Sequence, residues 1–228
     1  MANQSATEAK QQYIKVMGEK LGTQYAALWQ ELAQLNITWS EFIELYGTKK
    51  SRIELMNQSA GHFFRMVQDS LWEGLVLHIA RLTDRPEVLG RTNLTLHNLP
   101  VLIPDATLKS RIEALCLEAI DKTKFARDWR NRRIAHRDLK LALGALPKPL
   151  PAVEVKHVNA ALACFTEILN SIARPYLDSE TSFKHSARIH GAIELLYVLD
   201  AGLARQAEHQ RRLETGDHSP ELFAVRDL

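Results

Sequence analysis

The residues whose types could carry out chemistry lie close together between Asp128 and Asp138. Within this segment Arg130 is followed by the amide Asn131 and, after five intervening residues, by the imidazole of His136. An imidazole titrates near neutral pH and can take or give a proton. A guanidinium binds phosphate through two parallel donors and stabilises growing negative charge. These groups are the ones needed to handle a phosphodiester without a metal ion.

The same part of the chain carries a local excess of positive charge. Between Asp121 and Lys140, eight basic residues stand against three acidic ones, a local charge of +5 in a protein whose formal net charge is +2. A basic patch on a nearly neutral protein indicates one anionic contact rather than a general coating by nucleic acid. A solvated helix face explains the charge equally well, so charge alone does not decide between the two.

Ideal helix geometry does not place Arg130 and His136 on one face. Six residues at about 100° and 1.5 Å each separate the two side chains by roughly 120° around and 9 Å along a helix. Arg132 and Arg133 are instead the helical neighbours of His136. Two arrangements would bring Arg130 and His136 together. Either a helix begins inside the motif, where its free N–H groups would also attract phosphate, or a second chain completes the site.

Apolar residues recur at three- and four-residue spacing along most of the chain, which is typical of amphipathic helices. Glycine and proline are scarce, at 10 and 8 residues, which also favours long helices. Two stretches, Asp84 to Pro104 and Leu141 to Pro151, break the pattern as connectors, and the first is unusually long. The pattern predicts helices over about 7–35, 38–46, 51–82, 105–123, 153–176 and 186–213.

These elements predict an all-α fold, an antiparallel helical bundle of about five to six helices with long inter-helix connectors. We expect a single helical domain over residues 1–213, with its core at about 51–176, and a C-terminal tail over 214–228. No stretch shows the alternation that is typical of a strand.

Several common kinds of site are absent from the sequence. There is no glycine-rich phosphate loop, no HExxH, no cysteine–histidine zinc spacing and no GxSxG elbow, so no metal or other cofactor is expected. Cys116 and Cys164 each lie among apolar neighbours and predict reduced thiols in a core. The first residues are polar and no apolar stretch suits a membrane span, which indicates a cytoplasmic protein without a membrane partner.

The segment from Arg130 to His136 resembles the active-site motif of the HEPN superfamily. That motif is an arginine, usually followed by a polar residue, and then a histidine after four to six intervening residues. The spacing occurs four times in the chain, but only this occurrence begins with Arg-Asn and lies between two strong predicted helices. Three stretches resemble the abortive-infection branch of this superfamily. They are Arg-Ile-Ala-His-Arg-Asp at the end of the segment and, earlier in the chain, Phe63–Leu71 and Ile79–Asp84. The similarity covers roughly Ser51–Tyr176.

The resemblance implies a helical bundle that dimerises and places the arginine and histidine of both chains in one cleft. Many members are metal-independent ribonucleases, and many act as toxins or antiviral effectors. It implies His136 as general acid and base, Arg130 as the clamp on the phosphate and Asn131 as an orienting residue. The implied reaction is attack of the RNA 2′-hydroxyl on the adjacent phosphate, which leaves a cyclic phosphate end. The implied partners are RNA and a second copy of the chain, with an antitoxin or other regulatory protein left open.

The neighbouring side chains each have two interpretations. Asp128 and Asp138 would orient His136 or the arginines, or serve as helix-end charges. Trp129 would stack on a base or be buried within the helical core. Three further arginines would hold the RNA backbone or face solvent: Arg132, Arg133 and Arg137.

Three other interpretations of the whole segment stay open. His136 could cap or pack a helix while the arginines face water. A HEPN-like module could bind RNA, a nucleotide or a protein without cutting, in which case RNA binding survives His136→Ala and neither form cleaves. A helical adaptor could have no anionic ligand, and salt-insensitive binding of its partner would then be expected, because phosphate contacts are salt-dependent.

Overall fold

The structure is a computed structural model that describes residues 5–134, 143, 150, 152–183, 191–217 and 219. Most of these residues lie in helices. The predicted all-α class is confirmed. None of the described helices combines the length and the apolarity needed to cross a membrane. In this part of the chain the helices are α1 (Ala6–Met17), α2 (Glu19–Tyr46), α3 (Lys50–Leu82), α4 (Ala106–Lys122), α5 (Lys124–Trp129), α6 (Val155–Leu177) and α7 (Ala192–Glu214).

The first predicted helix is in fact two helices, because the chain breaks at Gly18. Gly18 has a φ of 82°, a conformation that side-chain-bearing residues rarely adopt, and it ends α1. Gly22 then lets the two helices approach closely, since a Cβ at that position would lie 2.5 Å from the backbone nitrogen of Ile14. The prediction of one continuous helix is wrong here because the apolar spacing runs on across the break.

The break predicted near residue 36 does not occur, and α2 runs on to Tyr46. Thr38 has the spacing of a helix cap in the sequence, but its hydroxyl donates to the Gln34 carbonyl at 3.0 Å within the helix. A threonine can bond back to the preceding turn in this way without ending a helix. No glycine or proline lies between Leu35 and Thr38 to interrupt it.

The chain groups into two compact units, Met1–Ser40 with Ser70–Ala187 and Glu41–Asp69 with Arg188–Leu228. In the first unit α4 packs along α6. Cys116 and Cys164 are buried and unpaired there, as predicted, and burial raises their thiol pKa to about 12 and about 11. The core of this unit includes fully buried side chains from α2, α3, α4 and α6: Leu28, Leu32, Ile79, Ile112, Phe165 and Ile168.

The second unit joins the end of α2, the first part of α3 and α7. The Tyr46 hydroxyl donates to the Phe64 carbonyl at 2.8 Å. The Glu41 carboxylate accepts the backbone N–H of Ala192 at 2.5 Å and so caps the first turn of α7. α3 is bent at Ala60, where φ is −157° and ψ is 62°. The expectation of one domain over residues 1–213 stays a prediction.

The connector between α3 and α4 contains a small hairpin that the sequence did not predict. Glu87–Val88 pairs antiparallel with Arg91–Thr92 around Leu89 and Gly90, which both have positive φ. Two-residue strands are too short for alternation to reveal them. Single 3₁₀ turns follow at Leu96–Asn98 and Pro100–Leu102, so the connector is locally ordered rather than a simple loop.

Candidate active site

Arg130 lies where the helix of the motif widens into a π-helical turn. α4 ends at Lys122, Thr123 departs from helical geometry with a φ of −106° and a ψ of 10°, and α5 begins at Lys124. The π-helical turn then covers Arg130–Ile134. Such turns are rare and occur frequently at functional sites. The helix therefore begins before the motif, and a helix start between residues 130 and 134 is not observed.

Two oxygen atoms hold the guanidinium of Arg130. Its Nη1 donates to Asp84 Oδ1 at 2.5 Å, and its Nε donates to Asn131 Oδ1 at 3.0 Å. The Arg130 and Asp84 side chains are only 22% and 26% exposed, so water screens this ion pair less than it screens a surface pair. Among the described residues, these two contacts leave both N–H groups of Nη2 and one of Nη1 able to meet a phosphate oxygen.

Asp84 is placed by the anchoring of the chain just after α3. The hydroxyl of the fully buried Thr95 lies 3.0 Å from the Leu82 carbonyl and 2.9 Å from the Asp84 carbonyl. A hydroxyl has a single proton, so the two carbonyls share one donor. The connector therefore fixes the backbone at the position from which the Asp84 carboxylate reaches Arg130.

A buried pair of hydroxyl groups joins the end of α3 to the break before α5. Thr83 Oγ1 and Thr123 Oγ1 lie 3.0 Å apart, and both side chains are buried. Thr83 Oγ1 also accepts from Arg127 Nη1 at 2.9 Å, while Arg127 Nη2 donates to the Ile120 carbonyl. Arg127 thus ties α5 to the end of α3, which brings Arg130 onto Asp84.

Charges near Arg127 influence the electrostatics of the site. Burial lowers the pKa of Arg127, and repulsion from Arg130 lowers it further, whereas the carboxylates of Asp84 and Asp128 act in the opposite direction. His97 of the connector also has a lowered pKa, first because it is half-buried and second because Arg127 is near. Around Arg127 two guanidinium groups therefore stand against two carboxylates, and the charges of these four residues balance.

The indole of Trp129 is packed among neighbouring side chains. It meets Trp72 edge to face with ring centroids 5.6 Å apart, and the Arg133 guanidinium lies 5.5 Å from its centroid. Arg133 Nε also lies 3.4 Å from Glu73 Oε1. Because both indoles are half-buried, these contacts favour the packed interpretation of Trp129 over base stacking.

The other candidate residues fall into two groups. Arg132 is half-buried, while Asn131, Arg133 and Asp128 are exposed. The RNA contacts expected of Arg132 and Arg133 stay predictions, as do the orienting roles expected of Asn131 and Asp128. Three candidates lie outside the described residues: His136, Arg137 and Asp138.

No motif or spacing in the sequence indicated that Asp84, Thr83 or Arg127 belongs to the site. Asp84 lies 46 positions before Arg130, so no helical spacing relates the two. One feature of the sequence could have pointed to Thr83 and Asp84: they end the stretch Ile79–Asp84, which carries part of the family resemblance. Arg127 was counted only as one charge of the basic patch.

The helical fold and the motif that begins at Arg130 are those of a HEPN-type protein. The sequence model of the family HEPN_AbiU2, described as AbiU2, matches residues 18–190, which is most of the chain and includes Asp84 and the whole motif. The chain therefore belongs to this family. The predicted superfamily and its abortive-infection-like branch are confirmed. No curated protein and no solved structure matches the chain.

Proposed function

We propose that this protein is a metal-independent endoribonuclease of HEPN type that acts in the cytoplasm as a toxin or antiviral effector. One observation carries the proposal: Asp84 and Asn131 hold the Arg130 guanidinium in a partly shielded position. An arginine that is fixed before the substrate arrives stabilises charge in the transition state without first having to reorganise. Membership of the HEPN family supports the same function.

In the proposed reaction His136 moves protons and Arg130 stabilises charge. His136 removes the proton of an RNA 2′-hydroxyl, whose oxygen bonds to the adjacent phosphorus while the bond from phosphorus to the 5′-oxygen breaks. The leaving 5′-oxygen takes the proton that His136 now carries, which gives a 2′,3′-cyclic phosphate and a 5′-hydroxyl end and restores the imidazole. Arg130 donates to the non-bridging phosphate oxygens, on which negative charge grows as the new bond forms.

We further propose that two copies of the chain supply one cleft. The motif is helical through Ile134, and on an ideal helix Arg130 and His136 would point roughly 120° apart. A cleft between two chains removes this constraint because Arg130 of one chain can face the histidine of the other. Mixing the Arg130→Ala and His136→Ala chains would then restore part of the activity that each has lost alone.

Expression in cells and assay of the purified protein test the ribonuclease proposal. Wild type should arrest growth and produce RNA fragments with cyclic phosphate ends, and cleavage by the purified protein should persist in a metal chelator. His136→Ala and Arg130→Ala should abolish both effects. Arg91→Ala is the matched control, because Arg91 precedes His97 by the same spacing but lies exposed in the connector hairpin. Intact RNA with the purified wild-type dimer would contradict the proposal.

One observation favours a second candidate, a HEPN module that binds RNA without cutting it. The carboxylate of Asp84 already neutralises Arg130, as in a purely structural ion pair. Under this alternative, RNA binding survives His136→Ala and no form cleaves RNA. Binding measured at several salt concentrations separates it from an adaptor without an anionic ligand, because contacts to phosphate weaken as salt rises.

A further inference from the structure

A small cavity lies directly beside the Arg130 site and shares Asp84 with it. Its volume is about 220 Å³. That is below the roughly 300–1,000 Å³ of sites for drug-sized ligands, so a single flat ring system is a suitable occupant. The cavity lies in the first compact unit, between α2, the end of α3 and the connector. Its lining residues are Glu31, Arg81, Leu82, Asp84, Asn93 and Leu94.

The polar groups of this cavity are mostly hydrogen-bond acceptors. Glu31 uses Oε2 for its contacts, with Arg81 Nη2 at 3.2 Å and His78 Nε2 at 2.8 Å. Asp84 uses Oδ1 for Arg130. Among the described residues these contacts leave Glu31 Oε1 and Asp84 Oδ2 able to accept from a ligand. The Arg81 side chain is 57% exposed, and its guanidinium retains donors that the contact with Glu31 does not use.

The connector side of the cavity is rigid. The backbone N–H of Asn93 donates to the Pro86 carbonyl at 2.8 Å, and its side-chain amide nitrogen donates to the Arg85 carbonyl at 2.9 Å. The Asn93 carbonyl accepts from the Asn98 side chain at 2.6 Å. Asn93 lines the cavity, and none of these bonds uses its side-chain oxygen, which is an acceptor. A wall that is ordered before the ligand arrives lowers the entropic cost of binding.

Guanine is the nucleobase whose edge fits this set of groups. Its ring N–H and neighbouring amino group are adjacent donors that match carboxylate oxygens, and its carbonyl oxygen matches a guanidinium donor. Uracil presents one N–H between two carbonyl oxygens, which carboxylates repel. Adenine and cytosine carry an amino group but no ring N–H beside it. The side chains of Leu82 and Leu94 supply apolar surface for a ring.

We propose that this cavity binds a guanine base of the RNA next to the phosphate held by Arg130, and so sets where the RNA is cut. This inference rests on the proposed ribonuclease function. Asp84 then serves two groups with its two oxygens, Arg130 through Oδ1 and the base through Oδ2. The single-stranded RNA is recognised through the edge of an unpaired base, as is general for sequence-specific RNA binding.

Nucleotide binding by the full chain tests the cavity without relying on cleavage. Guanosine monophosphates, as both the 3′- and the 5′-phosphate, should bind at least about 10-fold more tightly than the matching uridine nucleotides, from the usual strength of paired base contacts. Glu31→Gln should remove most of this selectivity, since the amide presents a donor to the guanine N–H groups. Glu118→Gln is the matched control, because Glu118 pairs with Lys122 at 2.6 Å on α4 outside the cavity. Thermal melting of each variant verifies the fold.

Sequencing of the cleaved RNA ends provides the second measurement. Guanine should be enriched on one side of the cut with wild type and with Glu118→Gln, and the enrichment should be lost with Glu31→Gln. Cleavage without base preference, together with equal affinity for the four nucleotides, would overturn the cavity proposal and leave the ribonuclease intact. Guanine-selective binding that depends on Glu31, without any cleavage, would overturn the ribonuclease and keep the base site. If selectivity in Glu31→Gln equals that of wild type, the cavity is not the base site.

Discussion

Asp84 Oδ1 accepts from Arg130 Nη1 at 2.5 Å, although 46 positions separate the two residues in the chain. Asp84 comes just after α3 and Arg130 just after α5, so this ion pair joins the ends of two helices. The Arg130 and Asp84 side chains are 22% and 26% exposed, and this partial burial strengthens the attraction between their charges. We interpret Asp84 as a positioning residue, since it acts on the substrate phosphate through Arg130.

Asp84→Asn should lower the rate of RNA cleavage while keeping the fold. The amide has nearly the shape of the carboxylate but holds Arg130 less firmly, and a misplaced catalytic group costs up to about 100-fold in rate. We expect kcat to fall by about 10- to 100-fold. KM is not diagnostic, because two effects on it oppose each other: the phosphate no longer competes with a carboxylate for Arg130, but the amide also replaces the acceptor proposed for the guanine base.

The comparison variant is Asp69→Asn, which removes a carboxylate of the exposed pair with Arg65 on the same helix. Steady-state cleavage of a short RNA gives kcat and KM separately for all three proteins. An Asp84→Asn protein with wild-type kcat would show that the ion pair is structural only.

Thr83→Val should destabilise the protein because it removes the acceptor of a half-buried arginine. The Thr83 hydroxyl accepts from Arg127 Nη1 at 2.9 Å and lies 3.0 Å from the Thr123 hydroxyl. Leaving a buried donor without its partner typically costs about 1–3 kcal/mol in the free energy of unfolding. Denaturant unfolding of the single variants and of Thr83→Val/Thr123→Val should reveal non-additive costs.

Thr38→Val provides the control for the valine substitutions. Within the described part of the chain, its hydroxyl bonds to Gln34, one turn back on α2. We expect a change within about 0.5 kcal/mol, as for substitutions away from buried networks. Equal effects of Thr38→Val and Thr83→Val would contradict a special contribution from the buried hydroxyl pair.

His97 should make the protein less stable as the pH falls below neutral. Burial first, and Arg127 second, lower the pKa of the folded His97 imidazole, so the unfolded chain binds this proton more readily. The contribution to stability is therefore complete above the ordinary value of about 6.5 and is lost as the pH falls through the folded pKa. His97→Gln should flatten this part of the pH profile. The free energy of unfolding of both proteins, measured from pH 7.5 to pH 5, gives the difference.

His62→Gln, at an exposed position, serves as the control for His97 and should follow wild type. A pH profile of His97→Gln that runs parallel to wild type would mean that other groups are responsible for the loss of stability.

Gly22→Ala should destabilise the corner between α1 and α2. The new Cβ would lie 2.5 Å from the Ile14 backbone nitrogen, and backbone cannot move aside as a flexible side chain can. Overpacking of this kind costs about 1–3 kcal/mol in the free energy of unfolding.

Gly202→Ala is the opposite case, because a Cβ there meets nothing within 4 Å on the exposed face of α7. It should stabilise by up to about 1 kcal/mol through the unfolded state. Thermal melting shows whether each variant is more or less stable than wild type. A stabilised Gly22→Ala would contradict the close approach of α1 and α2.

Sequence periodicity predicted the helices well where one apolar face continues without a competing signal. The prediction of 51–82 corresponds to α3 at Lys50–Leu82, and that of 153–176 corresponds to α6 at Val155–Leu177. It was wrong at Gly18, where the spacing continues through a break, and at Thr38, where a capping pattern lies inside a helix. Local patterns do not show whether a neighbouring segment stabilises or interrupts a turn.

Residue types and short-range spacing were enough to predict the helical class, the family and the motif of Arg130 and His136, because they are local properties. The pairing of Asp84 with Arg130 became visible only in the folded chain. That contact requires the Thr83–Thr123 hydroxyl pair and the Thr95 anchor, which join the chain after α3 to segments 11 to 40 positions away. Contacts between distant segments follow from packing and from the need to satisfy buried polar groups, neither of which has a period in the sequence.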